Sequence, residues 1–151
     1  MGRRHHVALV LALGTLLLMM GARAAAQVEI PRITIHELKV MIDRGESVMI
    51  LDTQPKAIFE KVHIKGAVSL PWKAMITLQD VSSLPRDKPI VTYCTCGSGN
   101  STSANVAEQL VRLGFSDVKV LADPSIKGWK EAGYPLEVSA LEGLDAACPF
   151  E

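Results

Sequence analysis

The sequence predicts an α/β domain in which a small parallel sheet is covered by helices on both faces. Three observations predict it. Short apolar runs recur at Val48–Leu51, Ala67–Leu70, Ile90–Tyr93 and Val118–Leu121, the length of strands rather than helices and apolar enough to be buried on both sides. Segments with helical spacing of apolar residues lie between them. Glycine and proline punctuate the joins, at Gly45, Pro71, Gly114, Gly133 and Pro135.

In chain order, Thr34-Ile-His-Glu37 has capping-box spacing, and Leu38, Met41 and Ile42 follow at helical intervals up to Gly45. Val48–Leu51 reads as a buried strand closed by Asp52, with a short helix over Lys56–Lys61 after it. Ala67–Leu70 is a second strand, stopped by Pro71, and residues 72–77 are expected to be helical. Leu84-Pro85-Arg86-Asp87-Lys88 is a polar connection into the strand Ile90–Tyr93. A helix over Ser103–Leu113 follows, with Ala104, Ala107, Leu110 and Val111 on one face. Val118–Leu121 is the last strand and Ile126–Ala132 the last helix.

Residues 1–26 read as a signal peptide rather than as part of the fold. Arg3 and Arg4 precede an apolar run from Val7 to Met20, and Ala24-Ala25-Ala26 offers a cleavage site. That run falls short of the roughly 20 residues a membrane span needs, although an uncleaved anchor is the alternative. The expectation is an exported protein, periplasmic or secreted, cleaved near Ala26 and then without a stable membrane span. Residues 27–138 form the expected single domain, and residues 139–151 a C-terminal tail. Formal net charge is zero and no Lys/Arg stripe forms, which argues against nucleic acid or an anionic membrane as a partner.

The chemistry concentrates between Cys94 and Ser103. A β-branched strand runs into Cys94-Thr95-Cys96, then Gly97, Ser98, Gly99, Asn100, Ser101 and Thr102 lead into a helix. Small residues let backbone N–H groups converge on one point, and the positive end of a helix dipole faces it. Such surroundings favour thiolate, the nucleophilic form of cysteine. Cys96 is the preferred nucleophile because it sits inside the loop, with Cys94 its rival. A disulfide between the two would close a small strained ring and be easily reduced. Cys148 reads as a spare thiol, or as a resolving one if the tail folds back. Asp52 reads as a hydrogen-bond anchor, and Trp72 and Trp129 as core or rim packing. No metal or organic cofactor is implied.

Four stretches, in order, resemble the rhodanese-like sulfurtransferase domain family. They are Ile50-Leu51-Asp52 with His63-Ile64-Lys65-Gly66-Ala67; Asp87 to Cys94; Gly114-Phe115 with Val120-Leu121; and Trp129 to Pro135. The resemblance implies a five-stranded parallel sheet and a loop cysteine. That cysteine accepts a sulfane sulfur from a small donor such as thiosulfate or a persulfide, and passes it to a thiol or protein acceptor. It also makes His63 a structural residue near the base of the loop. The sequence departs from the family in three places. The loop is longer by about one residue counted from Cys96 and carries no Arg or Lys, Gln54 stands where the family has Arg, and Asp123-Pro124-Ser125 replaces a Gly-Gly pair. For a dianionic donor these changes imply weak turnover. The alternatives are a non-enzymatic sulfur-relay or binding module and a CxC thiol–disulfide redox protein. Phosphate or arsenate chemistry lacks its cation.

Overall fold

The computed structural model describes residues 29–95 and 101–138. Seven strands and four helices alternate in them: β1 (Arg32–Ile33), α1 (Ile35–Asp43), β2 (Met49–Asp52), α2 (Lys56–Phe59), β3 (Val62–Ile64), β4 (Val68–Ser69), β5 (Ile90–Tyr93), α3 (Ser101–Arg112), β6 (Val118–Leu121), α4 (Ser125–Glu131) and β7 (Leu136–Val138). Five strands form one parallel sheet in the order β1-β6-β5-β2-β4, and β3 pairs antiparallel with β7 beside it. The expected sheet is therefore present, with β5 at its centre.

Period-two alternation along the central strands splits the core into two layers. Leu51, Ile90, Val118 and Val120 pack with Val106, Ala107 and Leu110 of α3. Ile50, Val91, Tyr93 and Leu121 pack with Leu38 of α1 and with Ile126 and Trp129 of α4. Each fully buried leucine or isoleucine contributes about 2 kcal/mol, so both helical layers are held by burial rather than by propensity. Helix α1 opens as expected: Thr34 Oγ1 accepts from the Glu37 N–H at 3.2 Å, and the Thr34 N–H donates to Glu37 Oε2 at 2.8 Å.

Several boundaries differ from the sequence reading. Helix α3 begins at Ser101, two residues earlier than expected, and its buried stripe is Ser103, Val106, Ala107 and Leu110, with Ala104 and Val111 only partly buried. The strand at 67–70 shrinks to Val68–Ser69, an edge strand with β2 as its one partner in the sheet. Residues 72–77 are not helical. The Gln109 side chain accepts from the Ile76 N–H at 2.6 Å and donates to the Lys73 carbonyl at 3.0 Å, and Asp80 accepts from the Thr77 N–H at 2.9 Å. Backbone groups that a helix would pair internally are taken by side chains instead. The strands β1, β3 and β7, two or three residues each, are too short to carry a period. The leader at 1–26 and the tail at 139–151, with Cys148, lie outside the described residues, among which no helix is long and apolar enough to cross a membrane.

Candidate functional site

The cysteine segment leaves the carboxyl end of β5, the place where parallel sheets gather ligands. Alternation along β5 sends Ile90 and Thr92 toward α3, and Val91 and Tyr93 the other way. Cys94 continues the first set. Its Sγ lies 3.6 Å from Ser103 Oγ in the first turn of α3, and no part of the residue is solvent-accessible. The Cys94 carbonyl accepts from Ser125 Oγ at 3.0 Å. The Thr92 hydroxyl reaches the Ser103 carbonyl at 3.0 Å, tying strand to helix one layer below.

On the opposite face, the register pairs Asp52 with Tyr93 across β2 and β5. Asp52 is fully buried. It accepts from the Gln54 N–H at 2.8 Å, from Gln54 Nε2 at 2.9 Å and from the Tyr93 hydroxyl. Burial holds its carboxyl above the ordinary value, although those hydrogen bonds favour the anion. Burial, with the Asp52 charge beside it, likewise pushes the Tyr93 hydroxyl up, so it acts as a neutral donor. Thr53 binds the Tyr93 carbonyl through both its N–H and its hydroxyl, each at 3.0 Å. Thr95 Oγ1 donates to Gln54 Oε1 at 2.8 Å, which joins the cysteine segment to this buried group. Asp52 is the expected anchor.

The open side is different. Trp72 is 43% exposed, and its indole N–H donates to Asn105 Oδ1 at 2.8 Å. With Ser101, Thr102 and Asn105 it lines a cavity of about 340 Å³ at the start of α3. A larger hollow of about 740 Å³ lies along the other flank of α3, against Glu29, Arg32 and Glu108. The smaller one is the better candidate, because its wall is the helix start that follows the cysteines.

The structure thus brings together Cys94, Ser101, Thr102 and Ser103 from the expected site. Cys96, Gly97, Ser98, Gly99 and Asn100 lie outside the described residues. Sequence reasoning missed Thr95 and Asn105, and gave Gln54 and Ser125 only as departures from a pattern. Threonine between two cysteines is the one signal that could have drawn attention to Thr95. His63 Nδ1 donates to the Phe59 carbonyl at 2.8 Å, the ring stacks on Phe59 and Nε2 meets Glu137 at 3.0 Å, so His63 braces β3 against β7. Trp129 is packed in the core and Trp72 on the rim. Among the described residues, no group of three or more His, Cys, Asp or Glu side chains could hold a metal ion.

Comparison with known proteins agrees with this architecture. The Rhodanese-like domain family model matches residues 34–132. Over 103 residues the chain is 29% identical to the probable adenylyltransferase/sulfurtransferase MoeZ of Mycobacterium tuberculosis, covering 68% of this chain and 25% of that protein. Over 94 residues it is 30% identical to the adenylyltransferase and sulfurtransferase UBA4 of Meyerozyma guilliermondii, covering 58% and 21%. It spans about a quarter or less of the length of these relatives. Among solved structures, the BH2092 protein of Bacillus halodurans superposes with a TM-score of 0.65 at 26% identity, covering 72% of this chain and 77% of that one. A thiosulfate sulfurtransferase from Pseudomonas aeruginosa superposes with a TM-score of 0.60 at 30% identity, covering 71% and 20%.

Proposed function

The chain belongs to the rhodanese-like domain family, and from that premise we propose that it is a sulfurtransferase that carries sulfane sulfur as a cysteine persulfide. The observation that carries this reading is the path of the chain. A cysteine-bearing segment leaves the carboxyl end of the central strand and enters the first turn of a 12-residue helix. Backbone N–H groups at a helix start stabilise negative charge without a cationic side chain. Residues 94–104 contain no Lys or Arg, so those amides and the hydroxyls of Ser101 and Thr102 are the natural source of that stabilisation.

In the reaction, a cysteine thiolate attacks the outer sulfur of thiosulfate. The S–S bond of the donor breaks, sulfite leaves with the electron pair, and the enzyme holds Cys–S–S⁻. An acceptor thiolate then attacks the outer sulfur of the persulfide and restores the cysteine thiolate. Cys96 is the carrier in this proposal, supported by the full burial of Cys94. Cys94 is then a packing thiol under α3.

The absence of a cation from residues 94–104, together with Gln54, favours a second reading in which the domain is a sulfur relay, loaded and discharged by partner proteins. Export through a cleaved leader, to the periplasm or the exterior, is proposed on the sequence of residues 1–26. Intact mass after incubation with thiosulfate tests the main reading: a gain of one sulfur atom, removed by cyanide, is expected. Loading without steady-state turnover supports the relay, and no gain with either thiosulfate or an organic persulfide overturns the persulfide mechanism.

A further inference from the structure

The Gln54 side chain is 1% exposed, and each end of its amide is engaged. Nε2 donates to Asp52 Oδ2 at 2.9 Å, and Oε1 accepts from Thr95 Oγ1 at 2.8 Å. Asp52 Oδ2 is the acceptor in this contact, so the amide nitrogen faces it. The amide oxygen must then face Thr95, and the threonine hydroxyl must donate. The arrangement has one polarity. At its root, Asp52 is held by the Gln54 N–H at 2.8 Å and by the Tyr93 hydroxyl, which itself accepts from the Ile64 N–H at 3.0 Å. Three strands, β2, β3 and β5, thus converge on one carboxylate, and a single glutamine carries their rigidity outward to the residue between the two cysteines.

We propose that Gln54 is a positioning residue for the reactive thiol: by fixing the Thr95 side chain it restrains the residue that joins Cys94 to Cys96. This rests on the sulfur-transfer reading for its consequence, though not for its geometry. Thr95 is exposed and its hydroxyl has water available, so a link to Gln54 is not needed to satisfy it. Its effect is to select one rotamer. Misplacing a nucleophile by a fraction of an ångström is a rate effect more than a stability effect.

The test compares Thr95→Val, which keeps the shape and removes the donor, with Thr95→Ser, which keeps the donor. Each is measured for persulfide loading rate, for alkylation rate by iodoacetamide at fixed pH, and for urea midpoint. Loss of one positioning hydrogen bond predicts loading and alkylation about 5- to 30-fold slower in Thr95→Val under conditions where it stays folded, with a lowered midpoint because the buried Gln54 Oε1 loses its donor, and Thr95→Ser within about 2-fold of wild type in both rates. Gln54→Met should reproduce the slow rates. Wild-type rates in Thr95→Val, or equally slow rates in Thr95→Ser, overturn the proposal. If the wild type loads no sulfur, the sulfur-transfer reading fails on its own, and the alkylation contrast still decides the positioning role.

Discussion

The two sides of the β5 carboxyl end are built from different materials. On the Tyr93 side, Asp52, Thr53 and Gln54 are each no more than 1% exposed, and every polar contact runs to another protein group in a short chain. On the Cys94 side, the wall consists of a helix start, an amide and a 43% exposed indole around a cavity of about 340 Å³. One side is closed and holds the segment still. The other is open to solvent. A buried polar cluster is worth keeping only when it is fully satisfied, because each orphaned group costs more than its hydrogen bond contributes. The closed side meets that condition, and the open side needs no such satisfaction because water reaches it.

Substitutions on the closed side should therefore act on folding. Asp52→Ala strands the Gln54 N–H, the Gln54 amide and the Tyr93 hydroxyl together, and a loss of about 2–4 kcal/mol is expected from urea unfolding. A loss under about 1 kcal/mol would show that this cluster is not what holds the two strands' ends. The pH dependence has a definite sign. A carboxyl whose folded pKa is raised favours the fold at pH below its unfolded value, 3.8 here, and loses that share as pH rises through the folded value. Wild type should lose stability relative to Asp52→Asn as pH rises above about 4. A stability gap constant from pH 4 to 8 contradicts this.

Substitution on the open side should act on substrate handling instead. Trp72→Ala removes one cavity wall and the indole hydrogen bond to Asn105, so acceptor KM should rise about 3- to 10-fold with less than about 1 kcal/mol of stability lost. An unchanged KM would move the acceptor to another surface. The smallest effect belongs to His63, which touches neither side. His63→Gln should cost about 1 kcal/mol through the Phe59 and Glu137 contacts and leave persulfide loading unchanged, as read by intact mass.

What could be read from the sequence follows the same division. Strands β5 and β6 and the cap of α1 are local: β-branched runs and a Thr34–Glu37 pair three residues apart carry their own signal. The fate of residues 72–77 is not local. Gln109, more than 30 positions later, satisfies their backbone, and no periodicity in 72–77 records that. The Gln54–Thr95 link spans 41 positions and needs the parallel register of β2 and β5 before it exists. The same holds for Ser125 and the Cys94 carbonyl, 31 positions apart. The candidate cysteines and small residues can be named from residue type alone, whereas the contacts that support Cys94 and Thr95 cannot, because those depend on which strands become neighbours.

The central claim is that a cysteine at this strand end carries sulfur with backbone and hydroxyl help alone. Intact mass of wild type, Cys94→Ser and Cys96→Ser after treatment with thiosulfate or glutathione persulfide tests it most directly. One added sulfur on wild type and on Cys94→Ser, and none on Cys96→Ser, is the predicted pattern. Equal loading of both variants, or loading of neither the variants nor the wild type, contradicts it.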